Sequence, residues 1–156
     1  MPTTLTEGQP APDFELPAGG GGTLRLKDFA GRKVVLYFYP KDDTSGCTLE
    51  AKDFSRMKGA FAEAGAVVIG VSPDSVASHD KFAKKYDLDL PLAADEAKTA
   101  LTAYGVWGEK SMYGRKYMGV ERTTVLIDGA GRIARVWPKV KVAGHAEEVL
   151  AAARAI

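Results

Sequence analysis

Runs and periods of apolar residues divide the chain into elements. Residues 34–39 form an unbroken apolar and aromatic run of strand length, and residues 66–71 form a second, the pattern of strands covered on both faces. Between them Ala51, Phe54, Met57 and Phe61 recur at three- and four-residue steps, while Lys52, Asp53, Arg56 and Glu63 take the other side. That spacing predicts an amphipathic helix from residue 47 to about 63 that crosses between parallel strands. A second helix is predicted over about 75–86, started by Asp74 or Ser75, and a third over about 94–104, started by Asp95, with a short strand or bend at 88–92. Residues 123–127 and 132–137 read as strands of an antiparallel hairpin around Asp128-Gly129-Ala130-Gly131. Gly144 and the alanine-rich tail with Glu147, Glu148 and Arg154 predict a C-terminal helix. Residues 10–25, with Pro10, Pro12, Pro17 and Gly19 to Gly22, predict an irregular entry segment with a loose hairpin. This order predicts an α/β fold, a central mixed β-sheet flanked by helices on both faces, as one domain over residues 1–156.

Composition narrows the function by exclusion. A chain of 156 residues can bury about two-thirds of its unfolded surface in one core and needs no staple. A net charge of +1 shows no pull toward nucleic acid or an anionic membrane. The single cysteine excludes an internal disulfide, a CxxC redox pair and a cysteine-rich zinc site, and points to a reducing compartment. Residues 1–7 have neither the basic region nor the apolar stretch of a signal, and no apolar run approaches membrane-spanning length, so a cytoplasmic protein is expected. The absence of Asn removes N-glycosylation and any Cys-His-Asn catalytic arrangement.

The candidate chemistry is the cysteine itself. Cys47 follows Gly46 where the helical pattern begins, among Lys41, Asp42, Asp43, Thr44, Ser45 and Thr48. A helix start leaves backbone N–H groups unpaired and carries the positive end of the dipole, which favours a thiolate there; the polar neighbours argue against an inert, apolar cysteine. A phosphatase loop requires Arg six residues after the cysteine, where this chain has Asp53, and Glu50 adds a second carboxylate that repels phosphate. A cysteine hydrolase requires a histidine base, and His79 and His145 both read as polar residues near helix starts. One Cys and two distant His lack metal-ligand spacing. Redox chemistry of the thiolate is left.

Pro40-x-x-x-Thr44-x-x-Cys47 resembles the active-site motif of the peroxiredoxins, and the string from Phe38 to Ala51 resembles the bacterioferritin comigratory protein, or Q, type. Arg122, in Gly119-Val120-Glu121-Arg122-Thr123-Thr124, stands where that family has its second active-site arginine, and the likeness takes in Ser78-His79-Asp80 and residues 139–145. The family's thioredoxin-like fold matches the element order above. The resemblance implies a thiol peroxidase in which Cys47 becomes a sulfenic acid, Arg122 and nearby backbone N–H groups hold the peroxide, the Thr44 hydroxyl bridges thiolate and peroxide, and Pro40 shields the site from water. For any thiol, lowering the pKa from about 8.5 to about 6 raises the thiolate fraction at pH 7 about 30-fold, while weaker nucleophilicity removes about tenfold, so activation of the O–O bond matters as well.

Two features depart from the family. Ser45 stands where Q-type members often have Pro, and the usual resolving positions are Lys52 and Ala83, so no second thiol is present. The implied partners are a hydroperoxide substrate and an external thiol reductant (thioredoxin, glutaredoxin or glutathione), with no cofactor, no metal, no nucleic acid and no membrane, in a monomer or weak dimer. A rival reading is a thioredoxin-fold interaction protein that captures partners by mixed disulfide. Residues 104–118 interleave aromatics with bases, which can stack on single-stranded nucleic acid; a loop beside the active site fits a nearly neutral chain better. Met57 and Met112 read as packing residues.

Overall fold

A computed structural model describes residues 5–156, so residues 1–4 of the N-terminal reading lie outside the described residues. Five strands form the central sheet in the order β5–β4–β3–β8–β9: β3 (Lys33–Phe38), β4 (Ala66–Ser72), β5 (Leu92–Ala94), β8 (Thr123–Ile127) and β9 (Ile133–Trp137). β3 runs parallel to β4, and β4 to β5, whereas β8 is antiparallel to both β3 and β9. Two short strands, β1 (Glu15–Pro17) and β2 (Thr23–Arg25), form the entry hairpin expected from the proline and glycine pattern.

Side chains alternate across β3 and divide the core in two. Val35 and Tyr37 face a cluster built with α1 (Ser45–Arg56), α2 (Lys58–Glu63), α3 (Val76–Tyr86) and α5 (His145–Ala155), through Phe54, Phe61, Phe82 and Val149. Val34, Leu36 and Phe38 face the other cluster, closed by Leu101 of α4 (Thr99–Ala103), by Tyr104 and by Phe14 and Leu16 of the entry segment. Helices therefore cover both faces of a mixed sheet, as expected. Tyr37 stacks on Phe54 with centroids 4.8 Å apart, and a Cβ on Gly70 would lie 2.7 Å from the Tyr37 ring, so a glycine in β4 makes room for the aromatic pair that seats α1.

Three boundaries differ from the sequence expectation. The long helix bends at Met57, whose ψ of 7° separates α1 from α2, yet hydrogen bonds from Met57 N to Asp53 O and from Phe61 N to Met57 O carry the ladder across the bend. The strand expected at 88–92 lies at Leu92–Ala94, so the third helix starts later, at Thr99; Asp95 still caps it, accepting from Thr99 N (3.0 Å) and Leu101 N (2.8 Å). The segment read as a loop is a hairpin of β6 (Trp107–Met112) and β7 (Arg115–Val120), mostly exposed along β7. Met57 is partly buried against the core, and the Met112 side chain lies outside the described residues.

Candidate active site

The sheet register brings residues 75 positions apart into contact. Phe38, the last residue of β3, pairs with Thr123, the first of β8, so Arg122 stands beside the exit of β3 where the chain turns through Pro40 to Thr44 into α1. Cys47 occupies the first turn of α1 and is 1% exposed. Arg122 Nη2 donates to Cys47 Sγ at 3.1 Å, and Nη1 donates to Glu50 Oε1 at 2.6 Å. Cys47 and Glu50 are three residues apart on one helical face, so one planar guanidinium spans both. A Cβ on Gly46 would lie 3.3 Å from Arg122 Nη2, so glycine before the cysteine lets the guanidinium lie close over the helix start.

Thr44 is the N-terminal cap residue of α1, with extended backbone. Its hydroxyl donates to Lys41 O at 2.9 Å instead of capping the helix, which leaves the oxygen lone pairs for another donor. Pro40, half-buried, follows Tyr39, whose backbone N–H bonds Val71 O. Asp43 has a positive φ of 60°, uncommon for a residue with a side chain, and its carboxylate is held by Lys85 Nζ at 2.8 Å and by Tyr86 OH. The structure thus brings Cys47 and Arg122 into direct contact, with Thr44 at the start of the same helix and Pro40 in the turn that leads into it.

Sequence reasoning missed Glu50 as a site residue, having read it only as repelling phosphate. The signal was a carboxylate one turn beyond a cysteine that needs a fixed cation. Burial pushes its carboxyl up to about 7, against the opposing pull of Arg122, and its second oxygen, Oε2, has no hydrogen-bond partner. Arg122 itself is held above its ordinary value: burial lowers it, and the charges of Glu50 and Cys47 more than offset that.

Both histidines stand near helix starts, as read from the sequence, and both are buried. His145 Nε2 lies 2.7 Å from Thr124 Oγ1, and burial lowers its pKa to about 4, which leaves it neutral. His79 pairs with Asp42, at 2.7 Å. Neither bonds the cysteine sulfur, so the base of a cysteine hydrolase is missing among the described residues. Lys52 extends over the Tyr86 ring, 5.7 Å from its centroid, and Ala83 packs against the core from α3.

Comparison with known proteins identifies the family and the fold. The AhpC/TSA family profile matches residues 7–136. Peroxiredoxin Bcp of Bacillus subtilis is 49% identical over 147 residues, 94% of each chain. PrxQ of Xylella fastidiosa superposes with a TM-score of 0.93 at 38% identity, covering 99% of this chain and 98% of that one. Bacterioferritin comigratory protein of Xanthomonas campestris, described by its alkyl peroxide reduction activity, superposes with a TM-score of 0.89 at 43% identity over 99% of this chain and 98% of its own. With the family profile, a near-half-identical relative and the whole fold in agreement, the chain belongs to the AhpC/TSA family, as a single-cysteine peroxiredoxin of the bacterioferritin comigratory protein type.

Proposed function

We propose that Cys47 reduces hydrogen peroxide and organic hydroperoxides as a thiolate, and that Arg122, Thr44 and Pro40 form the pocket that makes the O–O bond reactive. The observation that carries this reading is the guanidinium of Arg122 fixed at one end by Glu50 (2.6 Å) and set against the Cys47 sulfur at the other (3.1 Å). The sulfur attacks one peroxide oxygen, an S–O bond forms as the O–O bond breaks, and the leaving alkoxide or hydroxide takes up a proton to depart as alcohol or water. Arg122 stabilises the thiolate and then the charge moving onto the leaving oxygen. The Thr44 hydroxyl, already donating to Lys41 O, accepts the hydroperoxide proton in a hydrogen bond and sets the line of attack. Pro40 contributes no N–H and keeps water from the thiolate.

With a single thiol in the chain, the sulfenic acid is reduced from outside. One thiol condenses with it, releasing water and leaving a mixed disulfide at Cys47, and a second thiol exchanges to restore the thiolate. The external donor is glutathione, glutaredoxin or thioredoxin, which places the protein in a reducing compartment such as the cytoplasm. No helix among the described residues is long and apolar enough to cross a membrane, in keeping with that placement. Residues 1–156 act as one domain in a monomer or weak dimer; the exposed large apolar side chains among the described residues are Leu49, Tyr113, Tyr117, Met118 and Ile156.

Replacing Cys47 by Ser should abolish peroxide turnover and leave the circular dichroism spectrum unchanged, since serine is neither ionised nor reactive toward O–O bonds at neutral pH. Stopped-flow reaction of the reduced parent with peroxide should far exceed that of a free thiol; a rate no better than a free thiol would instead favour mixed-disulfide capture of partners.

A further inference from the structure

His79 is fully buried at the fourth position of α3, away from the sulfur, and both of its ring nitrogens face acceptors. Nε2 lies 2.9 Å from the Ala93 carbonyl of β5, and Nδ1 lies 2.7 Å from Asp42 Oδ2. A carbonyl only accepts, so Nε2 carries a hydrogen. The Asp42 carboxylate already accepts from Tyr39 OH at Oδ1 (2.6 Å) and from Ser78 Oγ at Oδ2 (2.8 Å), the pattern of an ionised acid, so Nδ1 carries the second hydrogen. We propose that His79, an imidazolium clamped between the Asp42 carboxylate and the Ala93 carbonyl, is a positioning residue that holds the turn over residues 40–44 in the shape that receives the hydroperoxide.

Asp42 is the only residue of that turn whose side chain is driven into the core, and it is two residues from both Pro40 and Thr44. Its backbone N–H is fixed as well, donating to Asp74 Oδ2 at 2.8 Å. With Asp42 pinned, Asp43 adopts its positive φ and Thr44 enters the helix with its hydroxyl on Lys41 O. A bridge from sheet edge to turn is thus made by one charged ring, and the geometry of Thr44 depends on it.

The groups facing the ring all favour its charge. They are Asp42 from the turn, Tyr39 from the end of β3 (OH 3.4 Å from Nδ1), Asp74 from the connection ahead of α3, and the Ala93 carbonyl. Asp80 of α3 is turned to Gly20 N, and Asp95 beyond β5 caps α4. Burial pulls His79 down, but the hydrogen bond and charge of Asp42, the Ala93 carbonyl and the charge of Asp74 together hold it above its ordinary 6.5. A histidine with a raised folded pKa gives its full support below about pH 6.5 and loses it as pH rises through the raised value. Loss of one ring proton breaks either the Asp42 or the Ala93 bond and frees the turn.

This inference rests on the peroxidase reading of Cys47, and the test separates the two. Ring-nitrogen NMR of the reduced parent should show both His79 nitrogens protonated at neutral pH. Stopped-flow peroxide rates, corrected for the Cys47 thiolate fraction by ultraviolet titration, should fall about tenfold over the same alkaline interval in which His79 titrates, the scale expected when a reactant is slightly misplaced. Asp42→Asn lets a neutral ring accept from the new amide while still donating to Ala93, so the alkaline step should vanish from its rate profile. His79→Gln should lower the corrected rate about tenfold at pH 6, and Asp42→Asn should retain most of it. A single ring proton on His79 at neutral pH, or an alkaline step unchanged in Asp42→Asn, would overturn the assignment while rapid parent turnover kept the peroxidase reading. A parent no faster than a free thiol would overturn both.

Discussion

Two buried ion pairs flank the turn over residues 40–44, and they are built differently. Arg122–Glu50 closes at 2.6 Å with side chains 17% and 2% exposed, and His79–Asp42 closes at 2.7 Å with side chains 0% and 4% exposed. In the second pair each Asp42 oxygen has donors and each ring nitrogen an acceptor. In the first, Glu50 Oε2 has no partner, the Glu50 carboxyl is pushed up to about 7 by burial, and one guanidinium nitrogen is given to sulfur. A fully satisfied pair fixes geometry; an incompletely satisfied one keeps capacity for a reacting group. The charge that moves during peroxide reduction belongs beside Arg122, and the charge that must not move belongs beside His79.

Replacing Arg122 by Met tests this division most severely. Its removal deletes the donor to sulfur and to the leaving oxygen together, and the peroxide rate corrected for thiolate should fall about 1000-fold. The fold should tolerate the change at pH 6, because Glu50, already near 7, takes a proton instead of standing buried as a bare anion. Urea unfolding and stopped-flow rates on one preparation decide it. Severe destabilisation at pH 6 with a modest rate loss would make Arg122–Glu50 a structural pair like the other.

Glu50→Gln comes next, and its signature is pH dependence of stability. The carboxyl binds its proton more tightly when folded, so the stability it contributes is complete below about 4.5 and is lost as pH rises to about 7. That shift corresponds to about 3 kcal/mol. Glutamine can still accept from Arg122 Nη1 and does not titrate, so parent stability relative to the variant should decline between pH 4.5 and 7.5. Parallel stability profiles for the two proteins would show that Glu50 is not held near neutrality.

Most of the sheet and the nucleophile were legible in the sequence, for local reasons. Residues 34–39 and 66–71 are apolar throughout because both faces are covered, and Gly46-Cys47 marks a helix start regardless of what packs on it. The β5 boundary and the late start of α4 were not legible, because Asp95 caps from four residues ahead and its spacing reads the same for either start. The hairpin of β6 and β7 escaped because its exposed, basic strands lack apolar alternation. Arg122 could be placed only through the family motif, since register alone sets it beside β3. Glu50 left only its place one turn beyond Cys47 as a signal, and the pairing of His79 with Asp42 left none: a buried ion pair in sequence is two polar residues in regions of polar pattern, 72 and 37 positions apart.

Thr44 is where the two pairs meet, and its substitution has the smallest expected effect and the sharpest meaning. It occupies the N-terminal cap position of the helix that carries Cys47, with its hydroxyl on Lys41 O, and it stands two residues after the carboxylate that His79 holds. Deleting its hydroxyl in Thr44→Val removes one uncharged hydrogen bond to peroxide, about 1–2 kcal/mol or roughly five- to thirtyfold in rate. Thr44→Ser keeps the hydroxyl and should stay within about threefold of the parent, with the extra freedom of serine accounting for the remainder. Equal losses in Val and Ser would assign Thr44 to packing. The double variant Thr44→Val with His79→Gln then asks whether the fully satisfied pair acts through this hydroxyl. If it does, the second substitution adds little once the hydroxyl is gone, and the coupling nearly equals the His79→Gln effect alone. Additive losses would mean that His79 supports the pocket by another route, such as the seating of Pro40, and the separation between a pair that reacts and a pair that positions Thr44 would have to be redrawn.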